Sequence, residues 1–291
     1  MQIQAALGEF LTQLEADGRS EHTRKQYRRH VRKLADWLAT GGHSGEITDV
    51  THQDLARFLA STAARTRPDG RAKKATSTNS LRTSVRVLFT YLHESGAIPA
   101  NPARLIRRAV CSPAPPRALT DDEQRRLLDV LAAADDDAGR RDRALFRTML
   151  GTGIRIGSAV ALDVEDVDLE AGEVWLRSMK GGREDRVLLS EEIREHLRDW
   201  IGERTTGPLF PGASGARLTT RHANRRLAAW LARAGITRAT GTHALRHSFA
   251  MRVYEKSGDV LVVKEALRHR SIASTLVYAS ADERVVREAI G

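Results

Sequence analysis

CSPAPPRALTDDE, residues 111–123, divides the chain. Its first eight residues are prolines and small or charged side chains that offer nothing to pack. Thr120 and Glu123 then stand three apart before an apolar-periodic run, the spacing at which a threonine hydroxyl and a glutamate carboxylate cap a helix start reciprocally. The stretch from Pro99 to Pro116 holds five of the eight prolines in the chain. An extended interdomain linker is therefore predicted there, and the organisation reads as a domain at 1–110, a linker at 111–118 and a second domain at 119–291.

Upstream of the linker, residues 20–40 (SEHTRKQYRRHVRKLADWLAT) carry Tyr27, Val31, Leu34, Trp37 and Leu38 at three- and four-residue steps with cations between them. That pattern predicts an amphipathic helix with a basic outer face. Helical patterns recur at 51–63 and 77–95, the latter placing Leu81, Val85, Leu88, Phe89 and Leu92 on one stripe. Between them, RTRPDGRAKK (65–74) has a Pro-Asp-Gly turn with five cations, read as a mobile surface loop. Downstream, helical patterns dominate with one interruption, GEVWLRSMKGGREDRVLL (172–189), whose flanks read as strands around a Gly-Gly turn. The fold class is mainly α with a small antiparallel β-sheet, in two domains, without internal repeats.

With 291 residues, 41% of them hydrophobic, the chain can bury one large core or two modest ones. No apolar run reaches the roughly 18 residues that would suggest a membrane span, and MQIQAALGEF lacks the marks of a secretory leader. A cytoplasmic protein with no membrane partner is expected. Cys111 is the only cysteine, which excludes an internal disulfide and offers no zinc-ligand spacing. The net charge is +10, and an excess of this size draws a polyanion, nucleic acid first. Residues 1–116 hold 18 Lys/Arg against 10 Asp/Glu, and the remainder 29 against 27, so the N-terminal part is the stronger electrostatic grip. Arg24, Lys25, Arg28, Lys73, Lys74, Arg82 and Arg86 are the candidate DNA contacts.

Four short motifs carry the chemistry. GTGIRIG (151–157) has glycines like those of a dinucleotide loop, but the helical pattern before it denies that loop its strand. It reads as a helix-ending turn that presents Arg155. HALRHS (243–248) sets His243, Arg246 and His247 on one helical face. Two histidines at i and i+4 could ligate zinc, yet Ala244 stands where a zinc protease has its glutamate and no third ligand follows. Lys180 lies in the hairpin turn, and Tyr278, one of four tyrosines, follows His269 by nine positions.

Taken in order, TGIR (152–155), MKGGREDR (179–186), THALRHSFA (242–250) and LRH (267–269) followed by Tyr278 resemble the motif set of the tyrosine recombinase family, the phage integrases and Xer recombinases. The resemblance covers nearly the whole chain. It implies a helical core-binding domain, a catalytic domain, and a site-specific recombinase that cleaves and rejoins double-stranded DNA at specific recombination sites through a 3′-phosphotyrosyl intermediate. By position it makes Tyr278 the nucleophile, Arg155 and Arg246 the phosphate-binding pair and Lys180 the general acid. His243 becomes the base, and His269 a hydrogen-bond donor to a non-bridging oxygen. No cofactor or metal is implied. The resemblance further implies that the two domains close around DNA, and that the tail 281–291 (ADERVVREAIG) docks on a neighbour in a homo-tetramer, or a hetero-tetramer with a related recombinase. Two positions depart from the family pattern: Ser158, where an acidic residue is usual, and Arg268, where glycine is usual.

The residue types suit that chemistry. A phosphodiester repels nucleophiles, so its cleavage needs charge neutralisation, a nucleophile and a proton for the leaving oxygen. Planar guanidiniums hold two phosphate oxygens at once and stay charged. Two other readings share these residues in part: a non-catalytic DNA-binding regulator of the same architecture, and a type IB topoisomerase.

Overall fold

The computed structural model describes residues 1–111, 117–176, 185–238, 240–269 and 271–279. The described chain falls into two compact units, Met1–Ser112 and Pro113–Gly291, each with its own core.

In the first unit, α1 (Ile3–Ala16), α2 (Glu21–Thr40), α3 (His52–Ala60), α4 (Thr62–Arg65) and α5 (Ala75–Glu94) are all helical. Ser20 caps α2 by accepting from Thr23 N–H, and Thr51 with Asp54 forms a capping box at α3, each supplying an orphan amide of the first turn with a partner. The stripe read from the sequence on α5 is the buried one: Leu81, Val85, Leu88, Phe89 and Leu92 pack against Val31, Leu34 and Leu38 of α2 and Phe10 of α1. The helix expected over 51–63 is instead two helices, broken at Ser61, whose hydroxyl caps α4 and whose backbone is extended.

Two sequence expectations change here. Residues 65–74 form a hydrogen-bonded turn, with Arg67 N–H on Arg71 O at 2.8 Å and Lys73 N–H on Arg65 O at 2.7 Å. The proline-rich stretch is not extended linker from Pro99 onward, because Ile98, Ala103 and Ile106 are buried in the first core. Asn79 on α5 then holds the chain further along, accepting from Ala109 N–H and donating to Ala109 O, both at 2.8 Å. Residues 112–116 lie outside the described residues.

The second unit starts with α6 (Asp121–Ala132), and its Thr120–Glu123 capping box is formed as the sequence predicts. α7 (Asp137–Thr152) runs through the core and meets α8 (Ile156–Ala159) across a sharp turn. A three-stranded antiparallel sheet follows, β1 (Val167–Asp168), β2 (Glu173–Leu176) and β3 (Asp185–Leu188), in the order β1-β2-β3. Val174 pairs with Val187 and turns inward, while Trp175, opposite Arg186, faces out. The alternation in the sequence thus sets the register. β1 was not read from the sequence, and the Gly-Gly turn and Lys180 lie outside the described residues.

Helices α9 (Glu191–Ile201), α10 (Thr220–Arg233), α11 (Thr242–Ser257), α12 (Val260–Ala266) and α13 (Leu276–Ala279) complete the unit. Asp142, fully buried on α7, accepts from Arg141, from Arg226 and from Trp230 Nε1 at 2.8 Å. The carboxylate is satisfied on both oxygens, so it fixes α7 against α10 without leaving a bare charge in the core.

Candidate active site and nucleic-acid interface

Helix α11 carries the centre of the site and is held on three sides. Ser248 Oγ accepts from Leu119 N–H at 2.8 Å, and Arg252 donates to Leu150 O at 2.5 Å. Arg246, only 6% exposed, donates to Gly153 O at 2.5 Å and to Leu267 O at 2.6 Å. One guanidinium therefore joins three pieces of chain: the turn after α7, the middle of α11 and the end of α12. Burial, and after it the charge of Arg155, pulls Arg246 down to about 10, so it stays charged at neutral pH.

The turn that presents Arg155 needs its glycine. Gly153 ends α7 in the left-handed region (φ 66°), and a Cβ there would lie 2.3 Å from the Phe249 ring. Arg155 follows in extended backbone as the N-cap of α8, with its side chain exposed. GTGIRIG is thus a helix-ending turn, as the sequence predicts.

Tyr278 on α13 is 2% exposed and packs against Ala250, Tyr254, Val263 and Leu267. Its hydroxyl lies 2.8 Å from His247 Nδ1. Burial pushes the phenol upward, and Arg246 and then Arg155 pull against it, so both guanidiniums act on this oxygen. His269 bonds Thr275 Oγ1 at 2.8 Å through Nδ1, which links the end of α12 to the segment leading into α13. Burial, Arg246, Arg155 and His247 hold His269 down to about 4. His243 is exposed on α11, one turn before His247.

Five of the six side chains singled out in the sequence can therefore be placed. Arg155, Arg246, His269 and Tyr278 share one electrostatic cluster, and His243 stands at its edge through its effect on His247. Lys180 lies outside the described residues. The residue that sequence reasoning missed is His247, which was seen on the face of Arg246 but given no role.

Arg268 explains one departure from the family pattern. Its φ is 52°, the only positive value among the described non-glycine residues, so a left-handed residue is required just before His269 and glycine would meet it without strain. The arginine side chain donates to Arg186 O at 3.0 Å and lies 3.3 Å from Asp185, tying the end of α12 to β3.

In the first unit, α2, the 65–74 turn and α5 enclose an open groove of about 1090 Å³. Lys25, Arg28, Arg29, Arg32, Lys33, Arg67 and Lys73 line it, with Asp36 the lone carboxylate among the lining residues. Beneath them Gln26 donates to Ser80 Oγ at 2.5 Å and His30 Nδ1 meets Ser84 Oγ at 2.7 Å, joining α2 to α5. Burial and the charges of Arg29, Lys73 and Lys33 hold His30 down to about 4.

Of the seven candidate DNA contacts, Lys25, Arg28 and Lys73 line this groove. Arg24 pairs with Glu15 at 2.5 Å, Arg82 bonds Thr78 and Asn79, Lys74 begins α5, and Arg86 is exposed on α5. Arg29, Arg32, Lys33 and Arg67 join the groove without having been singled out.

The model of the phage integrase family matches residues 117–284, and that of the phage integrase N-terminal SAM-like domain matches 7–96. The chain belongs to the phage integrase family of tyrosine recombinases. It is 32% identical to tyrosine recombinase XerC of Chromobacterium violaceum over 284 residues, covering 95% of this chain and 90% of the relative. To XerC of Serratia marcescens it is 34% identical over 242 residues, 81% and 78% of the two chains. Among solved structures, XerH recombinase bound to a palindromic difH substrate after cleavage shares the fold at a TM-score of 0.74 and 22% identity, over 96% of this chain and 84% of that one. A lambda integrase fragment, a dimer bound to a COC′ core site, does so at 0.73 and 19%, over 94% and 97%. Family and fold in this recombinase therefore agree with what the sequence resemblance implied.

Beside the recombinase site, Leu188, Leu261 and Val262 are exposed and, with Phe249 and Ala266, line an apolar groove of about 460 Å³. The tail at 281–291 lies outside the described residues.

Proposed function

We propose that this chain is a site-specific DNA recombinase that cuts and rejoins strands through Tyr278. One observation carries the reading: a buried phenolic oxygen, bonded to an imidazole, lies within the field of two guanidiniums delivered from separate parts of the chain. A phosphate seated between Arg155 and Arg246 loses much of the charge that repels a nucleophile. Attack by Tyr278 Oη forms an Oη–P bond as the Oη proton passes to His243 acting as base, and it breaks P–O5′, with Lys180 protonating the departing O5′. The phosphotyrosyl ester keeps the bond energy, so a second 5′-hydroxyl can displace the tyrosine without ATP. His269, held in place by Thr275, turns its Nε2 to a non-bridging oxygen, and His243 lies at the rim.

The cationic groove of the first unit supports duplex DNA as the partner, held mainly through its backbone. The apolar groove at Leu188, Leu261 and Val262 supports assembly on DNA, a homo-tetramer in which the tail of one protomer docks on the next. The XerC relatives match along both units, which favours a recombinase over a non-catalytic regulator or a type IB topoisomerase.

To test the reading, covalent adducts are recovered under denaturing conditions from cells expressing the protein, and the attached DNA is sequenced to define a site. A nicked duplex of that site should trap the wild type covalently and Tyr278→Phe not at all. Adducts that persist in Tyr278→Phe would overturn it.

A further inference from the structure

We propose that the Thr275 hydroxyl donates to His269 Nδ1 and thereby keeps the ring proton on Nε2, so that this imidazole meets DNA as a hydrogen-bond donor; the proposal deepens the recombinase reading above and rests on it. Thr275 Oγ1 lies 2.8 Å from His269 Nδ1, ordinary hydrogen-bond distance. A hydroxyl can donate or accept, and each nitrogen of a neutral imidazole can do one or the other. Burial decides the direction.

Thr275 is fully buried, and among the described residues its Oγ1 has His269 Nδ1 as its one hydrogen-bond partner. If Nδ1 carried the proton, Thr275 would accept it and its own O–H would be left buried with no acceptor, which folded proteins avoid because such a donor loses its water for nothing. With Nδ1 bare, the O–H donates to it and the buried donor is satisfied. The ring is in the charge state this needs. Burial, then Arg246, Arg155 and His247, hold His269 down to about 4, so at neutral pH it has a single ring proton, placed by whatever binds the other nitrogen.

The choice of tautomer fixes the sign of the contact with DNA. A bare Nε2 would set a lone pair against a non-bridging phosphate oxygen, whereas Nε2–H donates to it. Thr275 also ties the ring to the segment of the nucleophile. Its carbonyl accepts from Tyr278 N–H at 2.9 Å and its own N–H donates to Ile272 O at 2.7 Å, while His269 N–H donates to Lys264 O at the end of α12 at 3.0 Å. Thr275 touches no reacting atom, so it is a positioning residue that acts through His269.

The first measurement needs neither DNA nor a variant at Thr275. In protein isotopically labelled in its histidine rings, long-range proton–nitrogen correlation at pH 7 reports which nitrogen is protonated, and His269→Gln identifies the His269 signals. The wild type should show Nδ1 bare and Nε2 protonated.

The second uses the nicked duplex defined above. Thr275→Val keeps the shape and removes the hydroxyl. It should slow single-turnover cleavage by about 10- to 100-fold, short of the roughly 10²–10³-fold expected when a transition-state donor is lost outright. Thr275→Ser, which keeps the hydroxyl, should regain most of that rate. In a His269→Ala background, Thr275→Val should cost less than about twofold, because no ring is left to orient; a loss of packing alone would persist there.

A proton on Nδ1 in the wild type would overturn the proposal while leaving the recombinase reading intact. So would a wild-type rate in Thr275→Val, an equal loss in Thr275→Ser, or a Thr275→Val loss that persists in full without His269. The proposed tautomer in a wild type that forms no adduct would instead remove the recombinase reading, and with it the role at DNA.

Discussion

Two regions of this recombinase gather positive charge, and they do it in opposite ways. The groove between α2 and α5 sets seven cations around open solvent. The site on α11 uses two guanidiniums, one exposed and one buried, whose Nη1 and Nη2 each donate to a backbone carbonyl. Charges facing water are screened within about 10 Å at ordinary ionic strength and release counterions when they meet phosphate. A buried guanidinium is screened little and cannot relax, so its effect appears at the atom it faces. On the proposed function, the groove sets affinity and the pocket sets rate.

The largest expected effect breaks the pocket. Arg155→Ala and Arg246→Ala should each lower single-turnover cleavage by about 10²–10³-fold, with affinity changed far less. The two should then part company in stability. Arg246→Ala strips the Gly153 and Leu267 carbonyls of their donor and should cost about 1–3 kcal/mol, whereas Arg155 is exposed and its loss should leave the melting temperature in place. Equal destabilisation by both would show that the division drawn between them is wrong.

Next comes the groove. Removing Arg29, Arg32 and Lys33 together should make the slope of log affinity against log salt shallower by up to about 0.9 per lost phosphate contact. Cleavage at saturating DNA should hold. An unchanged salt slope, measured by titration at several salt concentrations, would take this groove out of the DNA interface.

The two regions share one behaviour in acid. His30 in the first unit and His269 in the second are both held down to about 4 in the fold, against an ordinary 6.5. Between those values the unfolded chain binds more protons than the native one, so stability rises with pH. It should be full above about 6.5 and decline as pH falls toward 4, as read by thermal melts. Replacing His30 with Gln should flatten that dependence for the first unit alone.

Much of this was legible in the sequence, and the gaps have physical causes. The capping box at Thr120, the α5 stripe and the strands on either side of the Gly-Gly turn follow from local spacing, and the structure forms them. Among the described residues, Arg155 follows the end of α7, Arg246 lies on α11 and His269 follows α12, which is why residues from three of the short motifs come together. The groove was only partly legible: cations surround α2, and which of them converge depends on where α5 and the 65–74 turn pack. Proline content overstated the linker, since Ile98, Ala103 and Ile106 find a wall to pack on and Asn79 clips the chain beyond them. His247 was hidden because its partner lies 31 residues away and meets it only through the packing of α13.

The smallest expected effect concerns Arg268. Glycine in its place would relieve a left-handed backbone, worth about 1 kcal/mol, and would lose an exposed tether to β3 of similar or smaller size. Arg268→Gly should therefore unfold within about 1 kcal/mol of the wild type, by chemical denaturation. A larger loss would mean that the link between α12 and β3 is a principal support of the site.

The most direct measurement identifies the atom joined to DNA. The trapped adduct is digested with nuclease and trypsin and its peptides are weighed. The account requires the peptide 271–284, SIASTLVYASADER, to carry a nucleotide through a phosphate on its one tyrosine. A nucleotide on any other residue, or cleaved DNA with no peptide attached, would contradict it.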